Sequence, residues 1–380
     1  MTVRGAGLAA RATALGVLAS LVLGAVLAPL PVRGAEAEPG TPPVVDLHVD
    51  LSYRVSFRHG SLARGSGQVV ASRLLRAGVT GLVLPLFVPK DVAPGGPRVS
   101  DLETSRATLL DLLPRTPPYA TPGCASEEGR VRTWLALEGS APLAGDPEAP
   151  ARWVSRGVRL FGLVHTSDNP LAGSSGSGVD APGLSALGRD FVHAVHRAGA
   201  VVDVSHASDA ATADAIRLAR EDGVPLVATH SNARAVTDHP RNLGDDAIRG
   251  IADTGGVVGI AFHSRFLAAR RAARLADVVR HVLHAVRVAG ADHVAIGSDF
   301  EGDITPPPGL TDVRGFPRLA RALAAAGLSH ADVARVFSEN ALRILCPRGG
   351  GAATAAEKSS PPGGPVPAPM PLAVPAGTPP

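Results

Sequence analysis

The chain has 380 residues, 45% of them hydrophobic and only 3% aromatic, ample material for one large core. Lys90 and Lys358 are the only lysines among 37 basic residues, and the Ala/Gly/Pro/Arg bias reads as a GC-rich coding sequence rather than as recognition chemistry. The formal charge of +3 rests on Arg4, Arg11 and Arg33; cutting the chain after Ala35 leaves 34 basic against 34 acidic residues, so the basic balance is no argument for nucleic-acid binding.

In chain order, Arg4 and Arg11 precede the uncharged apolar run TALGVLASLVLGAVLAPL and the small-residue stretch RGAEA. A basic start, an apolar run and small residues are the order of a bacterial secretory signal. Residues 1–37 are therefore expected to be a signal peptide cut near Ala35 or Ala37, leaving a secreted or periplasmic protein with no stable membrane insertion. The competing reading is an N-terminal membrane anchor, since residues 12–30 approach the roughly 20 needed to span a bilayer; Pro29 and the small residues beyond it favour cleavage. Export would permit a disulfide, but Cys124 and Cys346 could equally be two buried thiols.

The next segment, VVDLHVDLS at residues 44–52, reads as a strand that carries Asp46, His48 and Asp50 at every second position, hence on one face. From there apolar runs alternate with amphipathic stretches. VVDLHVD precedes QVVASRLLRAG, GLVLPLFV precedes SDLETSRATLLDLL, RTWLALEG precedes APARWVSRG, and VRLFGLVH precedes LSALGRDFVHAVHRAG. AVVDVSH then leads to AATADAIRLARED, PLVATHS to DDAIRGIADTG, GVVGIAF to LADVVRHVLHAVRVAG, and HVAIGSD to FPRLARALAAAG. Continuous apolar strands separated by helices imply a parallel sheet buried on both faces. Eight such units, with Gly199 and Gly290 placed as helix ends, favour a single closed (β/α)8 TIM-type barrel over residues 42–347. Residues 348–380, dominated by Pro, Gly and Ala, are expected to be a disordered tail.

Polar residues cluster where these strands end: His48 and Asp50 on the first, Glu138 on the third, His165 on the fourth, His206 on the fifth, His230 on the sixth and Asp299 on the eighth. In such barrels that rim carries the active site. Buried singly, each group would need a partner and would shift its pKa to shed charge; around one or two divalent cations the carboxylates stay ionised and the imidazoles neutral. His48 with Asp50 can reach one ion, His206 with His230 a second, and Glu138 can bridge. Asp46 and Asp203 are expected to act behind these ligands as hydrogen-bond partners. The pairs His193/His196 and His281/His284 fall on outer helices and are left out of the site.

The motifs DLHVD, the EG at Glu138–Gly139, LVHTSDN, VDVSHAS, THSNARAVTDHPRN and GSDFEG, in this order through essentially the whole barrel, resemble the membrane (renal) dipeptidase family of the amidohydrolase superfamily. The resemblance implies a zinc-dependent dipeptidase with two Zn2+ per chain: His48 and Asp50 on one ion, His206 and His230 on the other, Glu138 bridging. It implies that His165 and Arg241 contact a small dipeptide substrate and that Asp299 is the catalytic acid/base. Two close cations lower the pKa of a bridging water, Asp299 can carry its proton to the leaving amine, His165 can stabilise the oxyanion, and the Arg241 fork suits a C-terminal carboxylate. The chain departs from the family's pattern at Leu47 and Val49 around the first histidine, at Glu301 in the last motif, and in LVLPLFVPK, which replaces an aromatic-rich segment after the second strand. Two other readings stay open: a related binuclear hydrolase acting on another carboxylated amide or a lactone, and a catalytically silent secreted binding protein. The sequence does not decide between a monomer and a homodimer.

Overall fold

The computed structural model describes residues 40–347 except 179 and 270; the expected signal peptide and C-terminal tail lie outside the described residues. Nine strands occur among those described: β1 (Val44–Asp46), β2 (Val79–Leu86), β3 (Tyr119–Pro122), β4 (Val131–Leu137), β5 (Val158–Gly162), β6 (Val201–Asp203), β7 (Val227–Ala228), β8 (Val257–Ile260) and β9 (Val294–Ile296). Eight of them pair in parallel around a closed ring, β1-β2-β4-β5-β6-β7-β8-β9, sealed where Asp46 of β1 pairs Ile296 of β9. This is the expected (β/α)8 barrel. The ninth, β3, is not in the ring: Tyr119 and Pro122 pair Val131 and Thr133, the lower half of β4, whose upper half pairs β5 from Leu135 onward. Its short, proline-ended sequence YATP carries too little period to be read as a strand.

The helices follow as α1 (Leu51–Phe57), α2 (Ala71–Leu74), α3 (Val99–Leu112), α4 (Ala149–Ser155), α5 (Ala186–Arg197), α6 (Asp209–Asp222), α7 (Asp245–Asp253), α8 (Ser264–Leu267), α9 (Leu275–Ala289), α10 (Phe316–Ala325), α11 (His330–Ala334) and α12 (Asn340–Leu345). Ser185 and Ser208 cap α5 and α6 by accepting from the backbone N–H groups of Gly188 and Ala211, as short hydroxyl side chains do. α1 was not foreseen; it starts directly on Asp50 and buries Leu51, Tyr53 and Arg54.

Alternation along the strands yields two apolar layers. Leu82, Leu84, Leu135, Phe161, Val202, Val258 and Ile296 face the helices. Val45, Val83, Trp134, Leu160, Val227, Val257 and Ala295 fill the barrel, where Ala341, Ile344 and Leu345 of α12 join them. That final helix plugs the N-terminal end: Asn340 Nδ2 donates to the carbonyls of Ala291 and Val294, and Arg343 Nη2 to that of Asp292. Cys346, just beyond it, is disulfide-bonded to Cys124 in the β3–β4 loop. The two cysteines are thus paired and not free.

Candidate metal centre and active site

Strand ends and the turns after them bring the polar residues together at the opposite, C-terminal mouth. β1 stops at Asp46, which stands level with Leu82 and Ile296 of the helix-facing layer. The alternation expected to place Asp46, His48 and Asp50 on one face therefore breaks at Leu47. Asp46 Oδ1 instead accepts from the backbone N–H groups of His48 and Ser298, while Val49 and Asp50 are stitched to Val83 and Phe300. Glu138 directly follows β4, His165 follows β5, His206 follows β6, His230 follows β7 and Asp299 follows β9. His206 and Asp299 both adopt left-handed backbone, at φ 69° and 66°. Such conformations cost a non-glycine residue about 1–3 kcal/mol and persist where function over-determines them.

The convergence is tight. Glu138 Oε1 lies 3.5, 3.7, 3.1 and 3.6 Å from the Nε2 atoms of His48, His165, His206 and His230. Three triads have ligand atoms all within 4.8 Å of one another: His48–Asp50–Glu138, Glu138–His206–His230 and His48–His230–Asp299. All five expected ligands are thus assembled, with Asp299 beside them.

A threonine that sequence reasoning overlooked sets the direction of two imidazoles. Thr229 Oγ1 donates its one proton to Asp203 Oδ2, 2.6 Å away. It must then accept from His48 Nδ1 at 3.1 Å and from His230 Nδ1 at 2.9 Å, which puts a proton on Nδ1 of both rings, so that each ring when neutral presents its lone pair on Nε2. Asp203 is itself held by the N–H groups of Ser205 and Thr229, the supporting part expected of it. Gly259 and Gly297 let this strand end press in, since a Cβ on either would lie 2.0 or 1.7 Å from the Thr229 carbonyl oxygen.

These residues fit a pair of divalent cations. His48 Nε2 and Asp50 Oδ1 are buried without a hydrogen-bond partner, and the Nε2 atoms of His206 and His230 face each other at 2.9 Å; buried polar atoms seldom stay unmatched unless something else binds there. Burial holds His206 and His230 well below the ordinary imidazole pKa, with Arg241 adding to it, so both are neutral donors. Burial alone would lower His48 too, but the Glu138 and Asp50 carboxylates outweigh it and push it up to about 10. A cluster that holds a proton so firmly is short of positive charge, which metal ions supply. Burial, reinforced by Glu138, pushes the Asp299 carboxyl up to about 7, the range in which a carboxyl exchanges protons near neutral pH.

Above the cluster lies a cavity of about 320 Å³ bordered by Tyr53, Phe87, His165, His263, Phe266 and Asp299. Arg241, on the loop after β7, lies behind this cavity against Phe266 and His230. Its Nη2 donates to the His230 carbonyl at 3.1 Å, its guanidinium lies over the Phe266 ring, and its Nε is buried with no partner, leaving donor capacity for a ligand. His263 stands past β8, which with β2 is one of the two barrel strands for which no rim residue is expected from the sequence. Beneath the rim, Arg54 of α1 and Glu301 form a buried pair at 2.7 Å; Glu301 also accepts from Val69 N–H. This pair ties the helix that starts on Asp50 to the loop that carries Asp299. The Glu301 departure therefore has a structural task. The excluded histidines have structural partners: His193 and His196 both contact Asp222, and His281 accepts from the Ala233 N–H.

A model of the membrane dipeptidase family (peptidase family M19) matches residues 40–348. An uncharacterized dipeptidase of Schizosaccharomyces pombe is 31% identical over 330 residues, covering 80% of this chain and 80% of that protein. An uncharacterized protein in the pqqA 5′ region of Klebsiella pneumoniae is 39% identical over 232 residues, covering 57% of this chain and 83% of that one. Among solved structures, a metallo peptidase from Rhodobacter sphaeroides, liganded with a phosphinate mimic of the dipeptide L-Ala-D-Ala, superposes with a TM-score of 0.72 at 28% identity, covering 80% of this chain and 99% of that one.

Proposed function

The chain belongs to the membrane dipeptidase family of metallopeptidases, and from that premise we propose that it is an exported, zinc-dependent hydrolase of free dipeptides. The observation that carries this is the convergence of four metal-type side chains, His48, Asp50, His206 and His230, on a fifth, Glu138, with Asp299 bordering the cavity above them. His48 and Asp50 would hold one zinc ion and His206 and His230 the other, with Glu138 shared. When bound, such a pair supplies an acidified water and polarises the scissile carbonyl.

The chain's own groups do the rest. Arg241 receives the substrate's C-terminal carboxylate on its free donors, which excludes longer peptides that lack a carboxylate at that distance. His165, kept neutral mainly by its burial, donates to the oxyanion as water oxygen adds to the carbonyl carbon. Asp299 takes the proton of the attacking water and delivers it to the leaving nitrogen as the C–N bond breaks, so that acid and amine products leave in balance. The Cys124–Cys346 bond supports export, because such bonds persist in oxidising compartments. Residues 1–37 would be the signal that achieves it and residues 348–380 a tail outside the catalytic barrel.

The test is a panel of L-Xaa-L-Xaa and L-Xaa-D-Xaa dipeptides, their C-terminal amides and matched tripeptides, assayed on protein whose metal content is measured. About two zinc ions per chain, with cleavage confined to free dipeptides, is expected. Arg241→Ala should depress kcat/KM for free dipeptides and barely alter the poor cleavage of amides. Equal wild-type rates on free and amidated dipeptides, or full activity without divalent metal, would refute the reading.

A further inference from the structure

A second cavity, of about 540 Å³, opens off the catalytic mouth. The two cavities share Phe87, Glu138, His165 and Thr166. A substrate whose scissile bond sits at Glu138 and His165 therefore has direct room to send a side chain into the second. Phe87, Val88 and Lys90 on its wall belong to LVLPLFVPK, the segment in which this chain departs from the family's aromatic-rich pattern. Val88 and Leu102 supply buried apolar surface, and Lys90 stands four residues beyond β2.

Lys90 is the one lysine among the described residues, and no carboxylate pairs with it there. Its chain neighbour Asp91 is engaged by Arg58 at 2.9 Å. Asp168, the remaining acid on this cavity apart from Glu138, has its Oδ1 taken by the Ser174 N–H at 2.7 Å. Glu138 belongs to the metal cluster. Lys90 lines the same cavity as Glu138 and His165, so a ligand held there lies within reach of both. An uncompensated ammonium on a flexible stem, beside a pocket continuous with the active site, is a recognition element for an anion.

We propose that this cavity is a side-chain subsite and that Lys90 selects dipeptides carrying a carboxylate side chain, aspartyl or glutamyl. The proposal rests on the dipeptidase reading and deepens it. Such a substrate presents two carboxylates, and the mouth offers two separate cations: Arg241 for the C-terminus and Lys90 for the side chain.

The experiment compares kcat/KM for Ala-Glu, Glu-Ala, Ala-Gln, Gln-Ala, Ala-Lys, Lys-Ala and Ala-Ala in wild type, Lys90→Ala and Lys90→Glu, all full-length and metal-loaded. Taking the ratio of each acidic dipeptide to its amide isostere within a variant cancels any general loss of activity. Wild type should favour one acidic dipeptide over its glutamine counterpart by about tenfold, as a charge-assisted contact provides. Lys90→Ala should bring that ratio to about one, and Lys90→Glu should shift preference to the lysyl dipeptide. A wild-type ratio near one, or a ratio that survives Lys90→Ala, overturns the subsite. Failure to cleave any dipeptide, Ala-Ala included, overturns the dipeptidase reading and the subsite with it, and is distinguishable because no ratio can then be formed.

Discussion

At the N-terminal end of the barrel, Ala341, Ile344 and Leu345 of α12 close an interior of Val45, Trp134, Leu160, Val227 and Val257, and Cys124–Cys346 fastens the plug. At the C-terminal end the same strands finish in His48, Asp50, Glu138, His206, His230 and Asp299, with unmatched buried atoms and left-handed backbone. The lower end is an apolar interior in which Trp134 Nε1 is left unmatched; the upper end gathers several unmatched polar atoms and left-handed residues within one mouth. Carboxylates crowded at low exposure oppose folding until cations join them, so the lower end must supply stability that the upper end consumes. Substitutions at the two ends should accordingly separate rate from stability.

The largest effect is expected at the rim. Asp299→Asn should lower turnover by about 10²- to 10⁴-fold while elemental analysis finds metal close to the wild-type content. Glu138→Gln should instead lose metal and activity together, because a neutral amide offsets two cations poorly. Near-normal turnover in Asp299→Asn would remove its assigned role.

At the base the pattern should invert. Cys124→Ser, or reduction of the disulfide, should cost about 2–5 kcal/mol in denaturant unfolding and leave kcat unchanged at temperatures where the chain stays folded. A drop in kcat without a drop in stability would show that the two ends are coupled more directly than their separation suggests.

Between the ends, His281 of α9 is fully buried and accepts from Ala233 N–H, supporting the loop that carries Arg241. Burial lowers its pKa from 6.5 to about 4. The folded chain therefore binds this proton less tightly than the unfolded chain. Its contribution to stability is complete above about pH 6.5 and is lost as pH falls towards 4, up to about 3 kcal/mol. His281→Asn, which can place an oxygen near Nδ1 without titrating, should flatten this part of a stability-versus-pH curve; an unchanged curve would assign the dependence elsewhere.

The smallest effect is the most specific to the rim's geometry. Thr229→Val keeps the shape of the side chain but removes the hydroxyl that orients His48 and His230. Metal affinity should weaken by about 10- to 100-fold, and Thr229→Ser should restore it. Equal affinity in the valine variant would mean that packing alone orients the two rings.

Much of this was legible in the sequence, for physical reasons. Strand and helix periods are local, so eight alternating units specified the barrel, and polar residues ending apolar strands marked the rim. What stayed hidden depends on contacts across the chain. Thr229 looks like any strand threonine until His48, 181 residues away, is seen against it. The Cys124–Cys346 link spans 222 residues, and nothing local to either thiol reports the other. Asp46 appeared to share a face with His48 because alternation assumes the strand continues. It ends one residue too soon. The barrel plug α12 has only six residues, too few for a helical period to stand out.

The seam between β1 and β9 also dictates an order of assembly. Ser298 N–H reaches back 252 residues to Asp46 Oδ1, and Asp299 N–H reaches 3.1 Å to the His48 carbonyl. As the polypeptide emerges from the ribosome N-terminus first, His48 and Asp50 are made early yet have no wall to stand against until the last strand arrives. Closing so long a loop carries a large entropic cost before its contacts form. No nascent fragment that ends before β9 can therefore hold the complete rim, and its chemistry waits for that strand and the turn after it.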